Sequence, residues 1–322
     1  MLFTEMSPIQ IVCPSCLERL EPKDELLSCT ECRTCYKTIG NIPIMLVEKF
    51  MNLQNEKTSN DFQLTDKKFM QELYNTISIQ LNSSVVAPIA QFINYGYVAN
   101  NNPQYSQAFF NNQVFNKNSI KLLGEAIGDI ELNGKRIIDV GCGRGGALNA
   151  IHKYYKPLIS VGLDISYENI KYCGMANKEA LYFLVGDAEN FPFLDNSFDV
   201  IINMESSLNY PNLEEFYTEA YRILSDGGIF IYTDSFPASE IMYREQFLEN
   251  LGFVIVRNTD ATSNILLSLE ESSNRSFLAD RFRNKSEQRL YLNEDFLALP
   301  GGKKYRLLKD GTLLYKIYHL RK

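Results

Sequence analysis

The stretch "KRIIDVGCGRGGALNAI", residues 135–151, decides the fold. Its apolar run ends at Asp139, glycines follow at 141, 143, 145 and 146, and a helical pattern begins at once. A buried strand passing through a glycine turn into a helix is the first step of a parallel α/β sheet. The missing side chains let the backbone bring its N–H groups against a ligand. In "VGLDIS" (161–166), Asp164 closes the second strand, where a carboxylate can accept hydrogen bonds from a ribose diol. "LVGDAENFPFLDNSFDVIINMESS" (184–207) leaves its third strand at Asp187, placed to accept from an adenine amino group, and ends its fourth with Asn203 and Glu205. These carboxylates imply an adenosine-type ligand. Asp139 at the first turn suits a ligand bearing a sulfonium and an amino acid better than a dinucleotide, whose pyrophosphate would need that space.

Outward from this centre, strands and helices alternate. "SIKLLGEAIGDI" (119–130) reads as a helix before the first strand, and "LEEFYTEAYRIL" (213–224) as the helix leading to the strand "GIFIYTDS" (228–235). The helix "ASEIMYREQFLENLG", the strand "FVIVRNTD" and a long helical region from "SNILLSLEESSNRSFLADRF" onward come next. "DGTLLYKIYHL" follows a tight Asp-Gly turn and is expected to complete the sheet edge. Short apolar runs between helices require a parallel sheet covered on both faces. Upstream, residues 64–98 show apolar positions at helical spacing, broken by Pro88 and Gly96. Residues 48–65 read as a polar linker, and the Asn- and Gln-rich stretch 99–118 as an ordered surface segment.

The chain has 322 residues, 45% of them apolar, which suffices for one large core and a smaller unit beside it. No apolar run is long enough to span a membrane, and the N-terminus has neither a basic start nor an apolar core of a signal peptide. A soluble, cytoplasmic protein is expected, of unreadable oligomeric state. The net charge of −7 disfavours a polyanionic partner, so nucleic acid ranks below a small-molecule substrate.

The signatures "IIDVGCGRGG", "VGLDIS", "VGDAENFPFLDNSFDVI" and "YRILSDGGIFIYTD", in this order and spacing over residues 119–235, resemble the class I S-adenosylmethionine-dependent methyltransferases. The resemblance implies a doubly wound, mostly parallel seven-stranded sheet. It also implies cofactor contacts from Asp139, Gly141 and Gly143 to the amino-acid moiety, from Asp164 and Ile165 beside the ribose, and from Asp187 and Ala188 at the adenine edge, with Asn203 nearby. "INMESSLNYPNLEEFYTEAYRILSDGGIFIYTD" (202–234) and "FINYGYV" (92–98) are similar to a narrower subgroup that methylates hydroxyls of lipids, polyketides and peptide-polyketide hybrids. Tyr95 and Tyr97 then belong to a lid above the methyl group, Tyr95 against the cofactor and Tyr97 toward the acceptor. Thr259, Thr262 and Asn264 resemble the lead into a substrate-side helix.

One departure stands out. Many relatives read "ESSH" where this chain has "ESSL", so Leu208 replaces a histidine suited to act as general base, and His152 and His319 lie outside the expected pocket. Glu205, just past the fourth strand, is the first candidate for that role; Tyr97 and Tyr210 follow as pocket tyrosines. Cys142 and Cys173 read as small or core-filling residues.

The other five cysteines fall within 23 residues. "CPSC" (13–16) and "CTEC" (29–32) are twelve residues apart, a spacing that lets two knuckles grip a tetrahedral metal. Cys13, Cys16, Cys29 and Cys32 are the expected ligands of a structural Zn2+, with Cys35 as a competitor. The unit resembles a zinc ribbon, and "CRTCYKTIGNIPIML" (32–46) places Asn41 where such units carry a glycine, an exchange tolerable at positive φ.

The expected organisation is therefore a zinc-ribbon-like unit at 1–50, a linker and helical lid at 51–118, and a cofactor-binding domain at 119–322. The expected reaction is in-line methyl transfer from S-adenosylmethionine to an oxygen, by preference a hydroxyl, of a partly apolar natural product. The alternatives are methylation of RNA, as in zinc-ribbon enzymes acting on ribosomal guanine, or of protein, and a non-catalytic cofactor-binding role.

Overall fold

The computed structural model describes residues 9–48, 67–83, 87, 90–99, 116–174, 180–271 and 297–322. The expected linker, the Asn-rich segment and the helical continuation after residue 271 fall largely outside them.

Among these residues one mixed sheet of eleven strands organises the molecule. Strands β5 (Arg136–Val140), β6 (Ile159–Asp164), β7 (Leu181–Gly186), β8 (Phe198–Met204) and β9 (Leu224–Pro237) run parallel in the order β7-β6-β5-β8-β9. Every residue of β6 is buried, as a strand covered on both faces requires. Helices α2 (Lys117–Ile127), α3 (Gly146–Tyr154), α4 (Tyr167–Cys173) and α5 (Leu213–Ile223) supply that cover, and α1 (Lys67–Asn82) lies further out. The strand order reverses between β5 and β8, which opens a crevice at the carboxyl ends where such sheets bind ligands.

The last strand departs from expectation. β11 (Leu313–Arg321) does not end the sheet; it inserts antiparallel between β9 and β10 (Val254–Asp260), and β10 forms the edge. The burial patterns explain the choice. Leu313, Tyr315 and 317–320 of β11 are covered, whereas β10 alternates exposed and half-buried residues, as an edge strand can. The neighbouring helices are α6 (Ile241–Leu251), α7 (Thr262–Glu271) and α8 (Lys303–Lys309).

The seven strands from β5 to β11 are extended at the opposite edge by four more, β1 (Leu20–Lys23), β2 (Leu26–Cys29), β3 (Cys35–Ile39) and β4 (Ile42–Met45). The first three pairings are antiparallel, and β4 then pairs parallel with β7 through Ile44 with Val185 and Met45 with Gly186. Val12 N also donates to Pro192 O at 2.9 Å. Ile11, Tyr36 and Met45 thereby share a core with Phe193 and Phe198. The turn from β3 to β4 corrects the reading of Asn41: Gly40 takes the positive φ of 61°, and Asn41 does not.

Candidate active site

Three parallel strands deliver three carboxylates to one cavity of about 710 Å³. Asp139 on β5 is buried, and its carboxylate makes no hydrogen bond to another described residue. Burial, with the neighbouring Asp164 carboxylate adding to it, pushes its pKa up to about 8. Behind it the chain turns through Gly141 at φ 70°, where a Cβ would stand 2.4 Å from Ser206 Oγ. At Gly146 a Cβ would lie 2.6 Å from Gln91 O, so the segment 90–98 rests on the start of α3.

Asp164 at the end of β6 accepts from Gly143 N at 2.8 Å, Ser166 N at 2.8 Å and Asn169 Nδ2 at 3.3 Å. Burial raises its pKa against those bonds. Ile165 lines the cavity beside it, and its carbonyl receives Gln71 Nε2 of α1 at 3.1 Å. Asp187, after β7, accepts from Glu189 N at 3.0 Å and is ion-paired with Lys67 Nζ at 2.6 Å; Ala188 lines the wall between.

The outer wall is α1 and the strap 90–98. Arg144, fully buried inside the glycine turn, ties both to it, with Nε donating to Ala90 O at 2.6 Å and Nη1 to Ser78 Oγ at 2.9 Å. Its guanidinium stacks 3.6 Å from the Tyr172 ring centroid. Tyr95 lines the cavity, and its backbone N–H donates to Glu205 Oε2 at 3.0 Å. Glu205 also accepts from Tyr315 OH at 2.8 Å, occupies φ 54°, and is pushed up to about 8, chiefly by burial. A non-glycine residue in that region of φ is held there only by its surroundings.

Two expected site residues lie elsewhere. Asn203 does not line the cavity; its Nδ2 serves Val140 O, Ser206 Oγ and Tyr210 OH beneath the glycine turn, because alternation along β8 turns it inward. Tyr97 is also outside the lining: its N–H donates to Asn118 O, and its side chain packs with the cluster of Leu122, Ile265 and Tyr315. Tyr210 does reach the cavity, and neither histidine nor Leu208 does. Thr262 Oγ1 receives Tyr315 N at 2.8 Å, and Asn264 Nδ2 donates to Val98 O at 2.8 Å, which secures the strap. Lys67, Gln71, Asn75 and Arg144 were not singled out from sequence. Only Arg144 left a signal there, a charged residue inside a turn of glycines.

In the Cys-rich unit, the thiol sulfurs of Cys13, Cys16, Cys29 and Cys32 all lie within 4.8 Å of one another. Tyr36 OH approaches Cys13 Sγ to 3.1 Å. Cys35 stands apart on β3 with its thiol toward Ser28. Four convergent thiols fit a closed, four-coordinate metal.

The family described as "Methyltransferase domain" matches residues 138–232. A phthiotriol/phenolphthiotriol dimycocerosates methyltransferase of Mycobacterium tuberculosis is 32% identical over 205 residues, 63% of this chain and 75% of the relative. The chain is a class I S-adenosylmethionine-dependent methyltransferase. Another relative of this methyltransferase is a fatty-acid O-methyltransferase of Mycolicibacterium smegmatis, 29% identical over 70% of the chain and 81% of the relative. Among solved structures, the [4+2]-cyclase SpnF shares its fold with a TM-score of 0.57 at 20% identity, covering 79% of this chain and 94% of that one. Among the described residues of the methyltransferase, no helix is long and apolar enough to cross a membrane.

Proposed function

We propose that this methyltransferase methylates an oxygen, in the first instance a hydroxyl, of a partly apolar lipid or natural product by in-line displacement. The observation that carries this reading is a single cavity of two characters. Its lining combines three strand-end carboxylates with the apolar side chains of Met70, Leu81, Phe92, Ile93 and Leu297. The relatives' named substrates, a mycocerosate lipid and a fatty acid, are of the same greasy class.

S-adenosylmethionine supplies a methyl carbon that is already electrophilic; the chain's task is to bind, align and keep water out. Asp139 takes the cofactor's ammonium, for which a buried carboxylate that no other described residue hydrogen-bonds is suited. Asp164 takes the ribose diol, and Asp187 with the Ala188 backbone takes the adenine edge. Tyr95 closes the lid. Glu205, whose pKa near 8 lets it hold or release a proton at neutral pH, relays the acceptor's proton. The four thiols hold a structural zinc ion.

One observation favours a second acceptor, a carboxylate. Lys304 lines the cavity with its Nζ 5.1 Å from the Tyr95 ring centroid, and that ammonium makes no hydrogen bond or ion pair to another described residue. It could neutralise an anionic acceptor, which needs no base and would account for Leu208 in the histidine's place.

The test supplies methyl-labelled S-adenosylmethionine with long-chain alcohols, phenols, long-chain carboxylic acids, RNA and protein fractions in parallel. Label in alcohols or phenols supports the first reading, and label in acids alone the second. Label in RNA or protein alone overturns both.

A further inference from the structure

Lys67 opens helix α1, yet it is only 5% exposed, and its ammonium lies 2.6 Å from Asp187 Oδ2 and 2.7 Å from Glu189 Oε2. The other oxygens of that pair are also held, Asp187 Oδ1 by Glu189 N and Glu189 Oε1 by Asn212 N at 2.8 Å. A buried charge triad is an expensive way to fasten a helix, since a well-packed apolar side chain commonly does as well. Its value lies in what the fixed carboxylates face, and all three residues line the cofactor cavity.

The same helix face continues the pattern. Gln71 donates to Ile165 O, Asn75 Oδ1 accepts from Ser166 Oγ at 2.8 Å and Glu168 N at 3.1 Å, and Ser78 receives Arg144. Residues 67, 71, 75 and 78 recur at three- and four-residue steps, so they share one face. That face grips, in turn, the loops after β7, β6 and β5.

We propose that Lys67 is a positioning residue for the cofactor's adenine: it bridges Asp187 and Glu189 so that the purine edge meets a pre-aimed carboxylate, and it clamps α1 across the nucleoside. An ionised carboxylate offers about four acceptor positions, so Asp187 can serve the ammonium, the turn and an adenine amino group together. The inference rests on the reading above that Asp187 faces adenine.

The test measures, by calorimetry, binding of S-adenosylhomocysteine and of its analogue lacking the 6-amino group. Wild type is expected to prefer the amino form by about tenfold or more. In Lys67→Met, affinity for S-adenosylhomocysteine should fall about tenfold or more, and the preference should shrink to within about twofold, with Lys67→Arg restoring most of both. Lys67→Gln carries the same comparison if the methionine variant does not fold. A folded variant with unchanged affinity overturns the proposal, as does equal weakening of both ligands, which marks a merely structural role. Asp187→Ala separates the two layers. If it leaves the preference intact, the adenine placement itself fails; if it abolishes the preference while Lys67 variants do not, only the role of Lys67 fails.

Discussion

On the sheet side of the cavity, Asp139, Asp164 and Asp187 stand at or just past the ends of three adjacent parallel strands, each a few residues from the glycine or turn that aims it. On the outer side, α1 and the strap are held by bonds between distant residues, such as Lys67 to Asp187, Arg144 to Ala90 and Glu205 to Tyr95. The first wall is local chemistry on a rigid scaffold. The second is a cover whose position depends on a few polar fastenings, and such elements open more readily than core strands.

The comparison can be broken first at the back of the sheet-side wall, where β4 lies on β7 next to Asp187. If the four thiols bind the proposed metal, stripping it with a chelator, or making Cys16→Ser, should cost several kcal/mol of stability and lower the melting temperature by on the order of 10 °C, with cofactor affinity falling in step. Calorimetric melting with metal analysis checks this. Unchanged melting in metal-free protein would detach the Cys-rich unit from the site.

Gly141→Ala places a Cβ against Ser206 at a φ of 70°, so displacement of the turn should lower kcat/KM by about 10²-fold in steady-state assays. Asp164→Ala should leave folding intact and weaken calorimetric cofactor affinity by about 10- to 100-fold, the worth of one charge-assisted hydrogen-bonding group.

Proton linkage sharpens the sheet side further. Asp139 has its folded pKa raised to about 8, so it is mostly protonated in the free enzyme at pH 6 and must ionise to receive an ammonium. Affinity should therefore increase with pH, by at most about tenfold per unit, until near pH 8. Above that it should fall as the cofactor's α-ammonium, with a pKa of about 8, deprotonates. Asp139→Asn should flatten the rising limb in a pH series of binding isotherms. The smallest effect belongs to the outer side: Tyr97→Phe should change kcat and KM by less than about twofold, because that residue does not line the cavity. A tenfold loss of kcat would restore it to the acceptor site.

How far each wall could be read from sequence follows the same division. Asp139, Asp164 and Asp187 were legible because strand ends and glycines mark them within a few residues, and β5 to β9 because strands buried on both faces read as apolar runs. Lys67 was not, since a lysine at the start of an amphipathic helix reads as solvent-facing until its acid partner, roughly 120 residues away, is brought to it. The insertion of β11 was equally hidden, because an antiparallel strand carries no mark of which neighbours it separates. Asn203 and Tyr97 were named from sequence beside Glu205 and Tyr95, and the cavity lining holds the latter pair and not the former.

The pairing of Ile44 with Val185 also sets an order of events during synthesis. These residues are roughly 140 apart, so at about 5–20 residues per second β4 waits on the order of ten seconds for its partner strand to emerge. The four cysteines are complete long before that. Any metal those thiols bind can therefore enter the nascent chain while the rest of the sheet does not yet exist, and a preformed edge then awaits β7.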